Sequence, residues 1–339
     1  MTSLPLSDPG GPGSVVLGRH AQVRAVLTDP RFTVAPVPRP PFAPTVAWLR
    51  GAVGRFAEGA LHAERRAAVE RVLAGLDTAA LRAEASRLAS ASDADAGPVL
   101  VRVLAVALGV RAGDGPEAAR AVAAVAPAYL PGPGSVRTGQ ADEAVARLRR
   151  LLGDPDPQRF AVLAGLLAQA CQPTAALVRS ALAVRTGACP VEDLLAETSR
   201  HDPPVRVLRR VARALDVERH AGRATVPDAA SHMRMGVGVD IGVDTVTDIR
   251  ADIVTGIGVD TVMGVGGDTG TDAAVDAMVN VVLDVAAANR DPRVFRDPDA
   301  FVPGRAGEHL TFGAGPRACP GRRIALALAA GAVEGAGER

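Results

Sequence analysis

The chain has 339 residues, a length for two average domains or one large one, and 48% of them are hydrophobic, enough to bury a sizeable core. A formal net charge of +1 gives no electrostatic case for nucleic acid or an anionic membrane as partner, and with aromatics at 3% a platform for stacking bases is excluded as well. The three cysteines, Cys171, Cys189 and Cys319, are odd in number and lack CxxC spacing, which argues against a disulfide scaffold or a structural zinc site.

Met1 to Val15 is polar and rich in Pro and Gly, with neither the apolar core of a signal peptide nor a membrane anchor, so a soluble cytoplasmic protein is expected. Residues 14 to 32 predict a short strand, a helix from His20 to Leu27, and an Asp29-Pro30-Arg31-Phe32 turn. Val34 to Pro44 holds five prolines and is expected as loop. Around Leu61 to Ala67 the pattern is helical, and His62 and Arg66, four apart, share a face. Helices are predicted over Ala79–Ala89, over the almost wholly apolar Val99–Val110, over Gly115–Ala126 and over Ala141–Leu152, with a breaker cluster at Tyr129–Gly134.

Phe160 to Val184 is the longest apolar helical pattern. At its centre stands Gln169-Ala170-Cys171-Gln172-Pro173-Thr174. Pro173 has no N–H, so the carbonyl of Gln169 loses its partner, and a local opening of the helix is expected there. Val191 to Arg200 is amphipathic and sets Glu197 and Arg200 three apart on one face. A Pro203-Pro204 turn follows, then a strand bearing Arg209 and Arg210. Residues 235 to 272 are built mostly from Gly, Val, Asp, Thr and Ile, with Gly-Val-Asp-Thr-Val at 242–246 and again at 258–262. The aspartates lack calcium-loop spacing, so the stretch reads as an insertion without direct chemistry. Val279 to Val285 reads as a strand.

The densest signal lies near the C-terminus, in Phe312-Gly313-Ala314-Gly315-Pro316-Arg317-Ala318-Cys319-Pro320-Gly321, followed by an alanine-rich helix from Arg322. Gly313 and Gly315 permit a tight loop whose N–H groups approach a bound atom. Those donors, Arg317 and the start of the next helix are expected to favour a thiolate at Cys319, a good ligand for iron. The order Phe-Gly-x-Gly-x-Arg-x-Cys-x-Gly resembles the haem-binding loop of the cytochromes P450, the haem-thiolate monooxygenases. The resemblance covers about residues 14 to 232 and 278 to 335.

That resemblance implies a mainly α fold with a small β portion, as a single domain over 1–339 with a low-complexity insertion at about 233–277. It implies haem b, with Cys319 as the iron ligand and Phe312, Gly313 and Gly321 shaping the loop. His62, Arg66, Arg210 and Arg317 are the implied propionate partners. Glu197, Arg200 and Arg305 would form a structural ion cluster beneath the loop. On the distal side Thr174 matches the family's alcohol and Gln172 is a further candidate. Cys171 replaces the usual glycine, and Pro173 the acid that helps deliver protons during dioxygen activation. The chain carries 20 residues after Cys319, where the family continues into a small closing sheet, so a pocket open on one side is expected.

The implied reaction is oxidation of a small organic molecule, natural-product tailoring by analogy, with electrons from a ferredoxin-type donor near Arg322 and Arg323. Peroxide-driven or radical-coupling chemistry, a non-catalytic helper and a decayed homologue remain alternatives.

Overall fold

The computed structural model describes residues 14–91, 96–130, 138–185, 189–221 and 278–337. The repeat at 235–272 lies outside them. Strand β1 (Ser14–Leu17) leads into α1 (His20–Thr28). A Pro-rich loop then reaches α2 (Val46–Ala52), a single 3-10 turn at Gly54–Phe56, and α3 (Gly59–Ala74). Helices α4 (Thr78–Ser90), α5 (Ala96–Ala107), α6 (Gly115–Tyr129), α7 (Thr138–Leu151), α8 (Pro157–Val184) and α9 (Val191–His201) follow. Then come β2 (Val207–Arg213), α10 (Ala214–Ala221), β3 (Met278–Asp284), a one-turn α11 (Val285–Ala288), and finally α12 (Arg322–Ala336). The mainly α architecture with a small sheet is the one expected.

Local chemistry explains the boundaries. Thr45 caps α2 by accepting the Trp48 N–H at 3.2 Å, and Asp77 caps α4 by accepting from Ala79 and Ala80. Asp156 caps α8, with Pro157 at the first helical position, where its missing N–H costs nothing. Helix α8 continues through Pro173 to Val184. It has the length and apolarity of a membrane span, but it is the central core helix, packed by α5, α6, α9 and α12. Phe160, Ala164, Leu167, Leu177 and Val178 are buried there. Helix α12 lies along α4, and Arg82 Nε donates to Glu334 at 3.0 Å across that interface.

The sheet has the order β1-β3-β2. Strand β3 pairs in parallel with β1, Ser14 opposite Asn280, and antiparallel with β2, Arg210 opposite Val281. Flanked on both edges, β3 reads Val281-Val282-Leu283 and is buried at each of the three. A second core joins Val15, Leu17, Val23, Val26 and Phe32 to the sheet.

Candidate functional site

The Cys loop is shaped by its glycines. Gly313 and Gly315 hold φ of 70° and 65°, the left-handed region that favours glycine. A Cβ on Gly315 would also come within 2.9 Å of the Leu27 carbonyl oxygen. The Cys319 N–H donates to the Phe312 carbonyl at 2.7 Å, and the Gly313 N–H to that of Leu310 at 2.8 Å, so the loop closes on itself.

Beneath the loop, α9 presents a buried pair. Arg200 Nη2 lies 2.7 Å from Glu197 Oε1, with both side chains 3% exposed. Arg305 Nε stands 3.3 Å from the same oxygen, and the Val302 N–H donates to it at 2.8 Å. Burial would push Glu197 up, but the Arg200 and Val302 donors outweigh it and hold the carboxyl below its ordinary value. Arg200 further donates to the carbonyls of Asn289, Pro298 and Ala300. Thr311 then links α9 to the Cys loop. Its hydroxyl donates to the Ser199 carbonyl at 2.6 Å and accepts from Asn289 Nδ2 at 2.8 Å.

Above the loop is a cavity of about 1530 Å³, larger than the roughly 300–1,000 Å³ usual for small-molecule pockets. Its wall brings together His62, Arg66, Thr174, Arg210, Phe312, Gly313, Arg317, Cys319 and Gly321. Thr174 is buried in α8, and among the described residues its hydroxyl has no hydrogen-bond partner. Gln172, two residues away on the helix, is half-buried and does not line the cavity.

The cations cluster. Arg210 is buried on β2, donates only to the Arg209 carbonyl at 2.8 Å, and has no ion pair among the described residues. Burial, then the charges of Arg317 and Arg55, push it down to about 10. His62 is lowered by burial and by Arg317 and Arg66. Arg66 Nη1 donates to the Ala318 carbonyl at 2.6 Å, tying α3 to the loop one residue before Cys319. Two carboxylates answer this group: Glu58, 2.6 Å from Arg317 Nη2, and Glu70, 2.7 Å from Arg66 Nε. Sequence reasoning missed both Glu58 and Arg55; the one available signal for Glu58 was its place four residues before His62.

A thiolate at Cys319 is the form expected of an iron ligand, and in the chain by itself the surroundings of the thiol act in opposite senses. Cys319 presents its accessible surface to the cavity, while protein crowds its other sides. That burial pushes the thiol up, outweighing the Gly321 N–H and the cations Arg66, Arg55 and Arg322. A metal ion at the sulfur would add positive charge and favour the thiolate. An under-neutralised arginine group, a thiol facing the same space and a large, mostly apolar cavity fit a broad metal-bearing cofactor with anionic arms.

Residues 271–328 match the family model for Cytochrome P450. Over 64 residues the chain is 42% identical to "Cytochrome P450 119" of Sulfurisphaera tokodaii; the match takes in 19% of this chain and 17% of that relative's length. The crystal structure of a thermophilic cytochrome P450 from Sulfolobus tokodaii superposes with a TM-score of 0.64, at 17% identity, over 96% of this chain and 87% of that one. Ligand-free CYP164A2 of Mycobacterium smegmatis gives 0.60 at 20% identity, over 96% and 84%. At such identities the likeness is one of fold. The matched segment contains the Cys loop, and the fold around it is the fold of these cytochrome P450 structures.

Proposed function

We propose that the protein is a haem-thiolate oxidoreductase that uses O2 to monooxygenate a small organic molecule, within one domain over 1–339 that carries an insertion at about 233–277. The observation that carries this reading is the shared cavity wall: the Cys319 thiol and the Arg210–Arg317–His62–Arg66 group face one space. Cys319 would hold the haem iron through its sulfur, and Phe312, Gly313 and Gly321 give the loop its shape. His62, Arg66, Arg210 and Arg317 hold the two propionates of haem b. When bound, the haem would supply iron for dioxygen activation, a chemistry that a thiolate ligand such as Cys319 would favour.

The chain's own residues do the rest. Apolar side chains of α8 exclude water. The Thr174 hydroxyl, without a hydrogen-bond partner among the described residues, holds a proton at Oγ1 for the distal site. Arg322 and Arg323 are exposed beside the Cys loop and meet an acidic, ferredoxin-type donor in the cytoplasm. Glu197, Arg200 and Arg305 keep the underside of the loop rigid.

One observation favours peroxide as the oxidant instead. Among the described residues the single carboxylate lining the cavity is Glu64 on α3, and α8 contributes none where Pro173 stands. Turnover with hydrogen peroxide and no reductase decides between the two oxidants. The reading as a whole is tested by reducing the purified protein under CO. A thiolate-type Soret band is expected in the parent and its loss in Cys319→Ser; a parent without that band refutes the proposal.

A further inference from the structure

Helix α8 runs along the cavity for most of its length. From Ala161 to Leu177 the wall it gives is apolar except at Gln169 and Thr174. Thr174 belongs to the distal site proposed above, whereas Gln169 has no role there.

Gln169 is half-buried, and its Nε2 donates to the Gly165 carbonyl at 3.0 Å, one turn back along the helix. A carbonyl only accepts, so this bond settles which end of the amide is which. Gly165 makes room for the arrangement: a Cβ there would come within 2.8 Å of Val53 and 3.7 Å of the Gln169 Nε2. The other end of the amide, Oε1, accepts no hydrogen bond among the described residues. Helices α5, α6, α9 and α12 pack on the remaining sides of α8, so the accessible surface of Gln169 opens to the cavity.

The main chain adds to the shortage of donors. A helical carbonyl points along the axis to the N–H four residues on. For Gln169 that residue is Pro173, which has none, and α8 stays helical through it. Pro173 lines the cavity as well, so this stretch of wall carries open acceptors before and after the Gln169 Cα. Acceptors without donors are a cost that a donor-bearing ligand removes.

Charge narrows the choice of donor. A carboxylate brings acceptors alone and is repelled. An ammonium group brings donors, but it enters a cavity shared with Arg210, which has no ion pair among the described residues. A neutral donor is left. We infer that Gln169 is a specificity-determining residue whose Oε1 seats a neutral donor group, hydroxyl or amide N–H, of an otherwise apolar substrate. Its seat lies about 7.5 Å along the helix from Thr174 and sets which end of the molecule is held away from that residue. The inference rests on the functional reading above, since it names the substrate class of the same cavity.

The test is calorimetric titration of the full chain with 1-adamantanol and with 1-fluoroadamantane, a body of nearly equal shape that has no donor. In Gln169→Met, which keeps an unbranched side chain, affinity for the alcohol is expected to fall roughly 3- to 10-fold, the ratio equivalent to one neutral hydrogen bond. Affinity for the fluoride should change less than about twofold, because it makes no such bond. Equal changes for the two probes overturn the inference, as does an alcohol affinity that Gln169→Met leaves intact. Pro173→Ala, which returns an N–H to the Gln169 carbonyl, and Thr174→Val then show whether the main chain or the threonine holds the hydroxyl instead. A parent that binds neither probe also overturns it, since the cavity would not admit an apolar body of this size. The CO spectrum of the same preparation reads the haem proposal separately. A chain with no thiolate band but an intact Gln169 effect sinks that reading and leaves the seat standing.

Discussion

Glu58 holds Arg317 with one carboxylate oxygen, at 2.6 Å, and accepts the Val34 N–H with the other, at 2.5 Å. One side chain thus fastens the Pro-rich loop and the Cys loop together. It is also the counter-charge nearest to an arginine group that has few others. Replacing it with Gln leaves Arg317, Arg210 and His62 facing each other unscreened. Glu58→Gln is expected to lower the melting temperature of the cofactor-free chain by the equivalent of about 1 kcal/mol. If the arginines hold propionates, the haem-loaded chain recovers most of that loss. Melting curves of both forms check this; an equal loss in the two argues that the arginines do not meet an anionic cofactor.

Glu197 and Arg200 are both almost wholly buried, and Arg200 also satisfies three backbone carbonyls. Removing one partner strands the other's charge in the interior. Glu197→Gln should therefore cost about 3–5 kcal/mol in urea unfolding. A loss under about 1 kcal/mol would mean the pair is hydrated in solution.

The two loop glycines should differ. Gly313→Ala meets no atom closer than 3.6 Å, so only the left-handed backbone opposes it, at about 1–2 kcal/mol. Gly315→Ala carries the same strain and also drives its Cβ onto Leu27 and Thr28, adding about 1–3 kcal/mol of overpacking. Chemical denaturation of the two variants checks the order, and the reverse order would contradict the loop geometry.

His309 is half-buried beside Phe312, ring centroids 6.0 Å apart, with its Nδ1 unpartnered among the described residues. Burial, then the charge of Arg322, push it down to about 4 from 6.5; Glu197 and Glu308 act in the opposite sense, and Arg200 adds to the lowering. The unfolded chain takes up the proton near 6.5 and the folded chain only near 4. The stability from this group is complete above pH 6.5 and is lost as the pH falls toward 4. Between pH 7.5 and 5.0 the parent should lose more stability than His309→Gln, measured by urea midpoint. Parallel losses would remove His309 as a source of acid sensitivity.

Much of the fold was legible because its signals are local. Helix α8 was visible as an apolar period from Phe160, β3 as Val279–Val285, and the Pro-rich run from Val34 as loop; the structure moves these ends by a few residues. The Cys loop was legible because its glycines, Arg317 and Cys319 are contiguous. What sequence could not carry depends on distance in the fold. Arg55 reaches the Cys319 neighbourhood only through tertiary packing, and the upward push on the thiol comes from burial, which no motif records. Gln172 was chosen for its chemistry beside Thr174, but two helical positions turn it away from the cavity wall.

The parallel pairing of Ser14 with Asn280 has a consequence for how the molecule is made. The partners are 266 residues apart (280 minus 14), so β1 waits for its strand partner until β3 has left the ribosome. The α4–α9 helices can collapse on local contacts, whereas the sheet that carries Arg210 must wait for β3. A chain arrested before Met278 would hold its helical core yet lack the inner wall of the cavity, and the early strand would stay an open edge in the meantime.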